Sequence, residues 1–125
     1  MKNIVTTNNA PKAIGPYSQA VEKNGILYIS GQIPVIPNTG KVVDGGIVEQ
    51  TDCVINNIKA ILESAGYTID DVVKTTCLLN DFNNFSAMNE IYEKYFHTSP
   101  PARVCYQVVK LPLDVKVEIE AIAMK

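Results

Sequence analysis

The sequence predicts an α+β domain in which two helices cover one face of a mixed β-sheet. Three observations carry that expectation. Apolar residues recur at helical spacing in only two segments, 47–65 and 84–96. The runs around them are short and rich in β-branched residues, as strands are. Asn24-Gly25, between two such runs, is a strong hairpin signal. The implied order is β-β-β-α-β-α-β-β, and a length of 125 residues suits one domain spanning 1–125.

Ile4 to Thr6 reads as a short first strand, and Asn8 to Pro16 as a loop rich in Asn, Pro and Gly. Ser18 to Glu22 and Ile26 to Gly31 flank the hairpin turn. Pro34 to Gly46 is a second loop, punctuated by Pro37, Gly40, Gly45 and Gly46. From Ile47 to Ala65, Val48, Thr51, Val54, Ile55, Ile58 and Ile61 mark an apolar stripe, with Glu49, Asp52, Asn56, Lys59 and Glu63 opposite. Gly66 supplies the stop. Val72 to Leu79 is the fourth strand. Asn84 to Phe96 is the second helix, with Phe85, Met88, Ile91, Tyr92 and Tyr95 inward and an expected cap at Asn83 or Asn84. Ala102 to Val109 and Val115 to Met124 are strands joined by a turn over 110–114.

Strand periodicity sets Arg103, Cys105 and Gln107 on one face and Val104, Tyr106 and Val108 on the other. Two helices cover a single face, so an apolar face stays bare. That predicts a homo-oligomer with sheets packed between subunits.

Composition removes several function classes. Apolar residues make up 46% and charged residues 19%, the net charge is −2, and no basic run offers a footprint for nucleic acid. No signal core or membrane-length apolar stretch occurs, so a soluble, cytoplasmic protein is expected. Cys53, Cys77 and Cys105 are too widely spaced for a zinc or redox pair, and there is one histidine, His97. No dinucleotide, P-loop or serine-hydrolase motif is present.

The basic residues are unevenly chosen: ten lysines and one arginine, Arg103. Arginine grips a carboxylate through two parallel hydrogen bonds, which lysine cannot do. Arg103 is either an anion anchor or an ordinary strand-start residue paired with an acid. Cys105, on the same face, is either a nucleophile or a small buried hydrophobe. Glu118 and Glu120 share a face of the last strand that Ile122 and Met124 continue. They are either solvated or held where a carboxylate can activate water. A two-carboxylate glycosidase fits poorly, since tryptophan is absent and no aromatic platform lines up. Tyr17 after Gly15-Pro16, and Ser30-Gly31 at a strand end, are ordinary loop and packing residues or a place where a ligand meets backbone. Asn89, a poor helix former in mid-helix, faces solvent or holds a polar partner.

Pro101-Ala102-Arg103-Val104-Cys105, Leu111-Pro112 and Val117-Glu118-Ile119-Glu120-Ala121 together resemble the C-terminal signature of the Rid (YjgF-like) family of reactive enamine/imine deaminases, RidA subfamily. Ala13 to Ala20, Ser30 to Pro34, Asn57 to Leu62 and Val73 to Thr76 are similar to the same family, in the same order. The resemblance implies a chorismate-mutase-like fold and a homotrimer with clefts between subunits. It implies hydrolysis of 2-imino acids and their enamine tautomers, released by pyridoxal-phosphate dehydratases, to 2-oxo acids and ammonia. It implies no metal or organic cofactor. In that reading Arg103 binds the substrate carboxylate and Glu118 orients and activates water. The backbone at Gly31 and Cys105 touches substrate, and Tyr17, Ser30 and Asn89 complete the pocket, with Tyr17 a candidate contribution from the neighbouring subunit. The wider family has also been linked to translation inhibition and ribonuclease activity. A carboxylate-binding regulatory or endoribonuclease-type module is therefore the alternative, and the acidic charge argues against its RNA-directed form.

Overall fold

The computed structural model describes residues 1–125 and holds six strands and two long helices. The strands are β1 (Asn3–Val5), β2 (Ala20–Lys23), β3 (Ile26–Gln32), β4 (Val72–Leu79), β5 (Ala102–Gln107) and β6 (Val117–Met124). The helices are α1 (Ile47–Ser64) and α2 (Phe85–Tyr95). One sheet runs β1-β2-β3-β6-β4-β5, antiparallel except where β5 lies parallel to β4 across the α2 crossover. The expected order and the two-helix α+β class hold. No helix is long and apolar enough to cross a membrane.

Asn24 and Gly25 take φ of 54° and 76°, both left-handed, as a two-residue hairpin turn requires. In α1, Val54, Ile55, Ile58, Ile61 and Leu62 are fully buried against Leu27, Ile119 and Ala123. Two inward positions are polar, contrary to the expected stripe: Gln50 and Asn57 are buried while Val48 points outward. The exchange has a hydrogen-bonding reason. Gln50 Oε1 accepts the Lys116 N–H at 2.8 Å, and Asn57 Nδ2 donates to the carbonyls of Ile33 and Val35. Each satisfies loop backbone that would otherwise be buried without a partner.

The start of α2 also differs from expectation. A 3-10 turn over Phe82–Asn84 precedes the helix, and Asp81, not Asn83 or Asn84, accepts the free N–H of Asn83. The orphan donors arise one turn earlier than the apolar period suggests.

Strand register decides which residues share a face. Across β6-β4-β5 the rows Ala121–Thr75–Arg103, Ile119–Cys77–Cys105 and Val117–Leu79–Gln107 lie on the helix side. Glu118–Leu78–Tyr106 and Glu120–Thr76–Val104 lie on the other. That second face has no helix. Ile4, Tyr28 and Met124 stand exposed on it, as do Val104 and Tyr106.

The loop after β1 is held by one side chain. Gln19, 3% exposed, accepts the Thr7 N–H at 2.7 Å and donates to the carbonyls of Thr7, Ala10 and Pro11. Gln19→Leu keeps the volume and removes every one of these bonds. It should lower unfolding stability by about 1–3 kcal/mol in urea titration. An unchanged midpoint would remove Gln19 from this role.

Candidate active site

Arg103 stands on the edge strand β5, on the helix side, against α2. Its Nη1 donates to Asn89 Oδ1 at 2.7 Å, so the mid-helix asparagine holds a polar partner. Its guanidinium carbon lies 4.7 Å from the Tyr92 ring centroid and 5.6 Å from that of Phe85. Phe85, Asn89 and Tyr92 occupy one face of α2 at four- and three-residue steps. Phe85 in turn stacks on Phe82 at 5.0 Å. Arg103 forms no ion pair: Lys110–Asp114 is the one pair within 4.0 Å. The ordinary reading of Arg103, a cation matched by an acid, fails here. One donor is used by Asn89, and the rest of the fork is free for an anion.

Cys105 lies one pleat further along the same strand face, beside Cys77. Burial pushes its thiol above the ordinary value, and the Arg103 charge only partly offsets that. At neutral pH it is a protonated thiol, which suits a wall residue and not a nucleophile. Gln107 ends the row and accepts the Phe82 N–H at 2.8 Å, fastening the turn before α2 to β5.

Glu118 is on the opposite face, in β6. Next to it, β3 bulges: Ile29 pairs with Ala121 but Gln32 with Ile119, so Ser30 and Gly31 together oppose Glu120 alone. The bulge turns Gly31 toward Glu118, and a Cβ there would collide with the Glu118 carboxylate. Only glycine leaves that carboxylate its place against the backbone. Ser30 Oγ donates to the Ser18 carbonyl at 2.6 Å, and its N–H donates to Gln19 O, tying the bulge to the segment that follows Tyr17. Tyr17 is itself exposed. Burial raises the Glu118 pKa above its ordinary value, and the neighbouring charge of Glu120 raises it further.

The seven residues singled out from sequence thus form two groups. Arg103, Asn89 and Cys105 belong to the helix side; Glu118, Ser30 and Gly31 to the open side, with Tyr17 on the adjoining loop. Three residues along a strand separate Arg103 from the Glu118 row, about 10 Å, and two strand steps add about 10 Å across. The side chains then diverge from opposite faces, so one small molecule cannot touch both within a single chain. Sequence reasoning missed Tyr92 beneath the guanidinium, Thr75 bonded to its hydroxyl, and Gln107 and Gln19 as fasteners. The signal for Tyr92 was its four- and three-residue spacing with Phe85 and Asn89, which a core stripe shares. No group of three or more His, Cys, Asp or Glu side chains gathers anywhere in the fold.

The family model described as Endoribonuclease L-PSP matches residues 7–125. The chain belongs to this family, the Rid (YjgF-like) proteins. A RutC family protein of Pyrococcus horikoshii is 56% identical over 125 residues, covering 100% of this chain and 99% of the relative. A mouse protein named 2-iminobutanoate/2-iminopropanoate deaminase is 49% identical, covering 100% and 93%. A crystal structure described as a putative endoribonuclease of Thermotoga maritima superposes with a TM-score of 0.98 at 50% identity, covering 100% and 98%.

The raised Glu118 pKa has a direct consequence for stability. A carboxyl whose pKa is higher folded than unfolded stabilises most below the unfolded value, and that contribution is lost as pH rises through the folded one. Glu118→Gln should therefore gain stability relative to the parent as pH rises from acid to neutral. Gly31→Ala, which drives the carboxylate out toward water, should flatten the same dependence. Urea unfolding across that range, at fixed protein concentration, reads both. Parallel pH curves for parent and Glu118→Gln would show that Glu118 is not desolvated.

Proposed function

We propose that this Rid-family chain hydrolyses 2-imino acids and their enamine tautomers to 2-oxo acids and ammonia, as a 2-iminobutanoate/2-iminopropanoate deaminase. The observation that carries the reading is an arginine fork with no acid to neutralise it, in a chain 49% identical to a relative bearing that name. A 2-imino acid has one carboxylate, and Arg103 offers the two parallel donors that grip it. The C=N carbon is then attacked by water. Glu118 removes a proton from that water as the C–O bond forms, giving a tetrahedral carbinolamine. That proton passes from Glu118 to the amine nitrogen, the C–N bond breaks, and ammonia leaves as the carbinol hydroxyl gives its own proton to the Glu118 carboxylate and C=O closes. A raised carboxyl pKa suits a group that must take a proton and return it. Imine hydrolysis is intrinsically easy, so positioning and modest proton transfer suffice.

Arg103 and Glu118 act on one substrate only if they come from different copies. The uncovered face, with Tyr28, Val104 and Tyr106 exposed beside Glu118, supplies the apolar area for such contacts. A ring of three copies, each presenting its Arg103 edge to the Glu118 face of the next, places one cleft at each contact. Tyr17, Ser30 and Gly31 then enter each cleft with Glu118, while Asn89 and the Cys105 backbone enter with Arg103.

A ribonuclease role finds less support. The net charge is −2, and no basic stretch follows the exposed surface.

The test uses imines generated in place by an amino-acid oxidase, with 2-oxo acid or ammonia release followed. The parent chain should accelerate release over buffer. Arg103→Lys, which keeps the charge and loses the fork, should fall at least tenfold in kcat/KM. Glu118→Gln should fall similarly. Unfolding the two inactive variants together and refolding them 1:1 should restore activity at about a quarter of the sites, because half-sites from different copies recombine. No recovery in correctly assembled mixtures would place the whole site within one chain.

A further inference from the structure

We propose that Tyr92 is a positioning residue for the carboxylate anchor: its ring, tethered by Thr75, is the platform that sets the plane of the Arg103 guanidinium. The inference rests on the reading of Arg103 as the group that holds the substrate carboxylate. Arg103 is exposed on an edge strand, where a long side chain normally samples many rotamers. Here it lies 4.7 Å above a ring that is itself 5% exposed. The ring has little freedom of its own. Its hydroxyl shares a 2.7 Å hydrogen bond with Thr75 Oγ1, fully buried, and the ring packs on Phe96 with centroids 4.5 Å apart. Thr75 is the cross-strand neighbour of Arg103. The strand that lies beside Arg103 thus also pins the ring it rests on. Filling the core alone would need only phenylalanine. A buried hydroxyl matched to a buried threonine fixes where the ring sits.

The consequence is preorganisation. Asn89 sets one end of the guanidinium by a hydrogen bond, and the ring beneath it sets its plane. The remaining donors then point along a defined plane before the carboxylate arrives, which removes much of the ordering that binding would otherwise require.

The chain holds one arginine, so the side-chain Nε–H signal of Arg103 is the only arginine peak in a nitrogen–proton NMR spectrum. Tyr92→Leu, Tyr92→Phe, Thr75→Val and the control Ile91→Ala are compared with the parent. Ile91 is a buried neighbour on α2 outside this cluster. Three readouts are taken: the Arg103 Nε–H position, the Kd for 2-oxobutanoate by titration of that peak, and imine turnover. Tyr92→Leu should move the peak toward its position in a free arginine side chain and weaken 2-oxobutanoate binding about tenfold or more. Tyr92→Phe, which keeps the ring and frees it from Thr75, should lose an intermediate part of that affinity, and Thr75→Val should resemble it. Ile91→Ala should lower thermal stability and leave Kd unchanged. A Tyr92→Leu protein with Kd within about twofold of the parent and an unmoved Arg103 peak overturns the proposal. So does an Ile91→Ala protein that weakens binding as much. Binding of 2-oxobutanoate by the parent without imine turnover would overturn the deaminase reading and leave the platform standing. No binding by the parent overturns both.

Discussion

Two helices can cover only one face of a six-stranded sheet, and the placement of every candidate residue follows from which face it shares. The pleat sends alternate side chains to opposite sides. Arg103 falls in the row of Thr75 and Ala121, against α2; Glu118 falls in the row of Leu78 and Tyr106, on the face that no helix of its own chain covers. The same alternation that buries Val117, Ile119 and Ala121 therefore turns Glu118 and Glu120 outward. Core and site are not independent designs. The last strand serves both, one residue at a time.

Each half of the candidate site is held by a different kind of force. Around Arg103 the restraint is aromatic and local: the ring of Tyr92, with Asn89 at the fork. Contacts of this kind contribute about 0.5–1 kcal/mol each when exposed, too little to matter for folding and enough to choose a rotamer. Around Glu118 the restraint is backbone geometry. The bulge at Ser30-Gly31 brings main chain against the carboxylate, and burial there makes ionisation costly. One half favours a fixed positive charge, the other a carboxyl that takes up a proton more readily than usual.

Much of this was legible from the chain. Helical spacing located α1 and α2, Asn24-Gly25 located the hairpin, and pairing parity put Arg103 with Cys105 and Glu118 with Glu120. What was not legible depended on partners distant in sequence. Gln50 and Asn57 are inward because loop backbone needs them, a demand that periodicity does not record. The cap of α2 moved because a 3-10 turn intervened. That Arg103 and Glu118 take opposite faces required strand order as well as spacing, since β6 lies between β3 and β4 and not beside β5. The family motifs supplied both residues without their separation.

The Gln19 staple has a consequence for motion. The loop from Thr7 to Pro11 draws its principal anchoring from one amide side chain, while the strands beyond it are zipped by many backbone bonds. Such a segment opens as a small cooperative unit at far less cost than the sheet. Tyr17 lies a short way further along the chain, after Gly15 and Pro16. Access to the Glu118 side can therefore fluctuate on the timescale of one glutamine letting go, with the sheet and its bulge staying closed beneath.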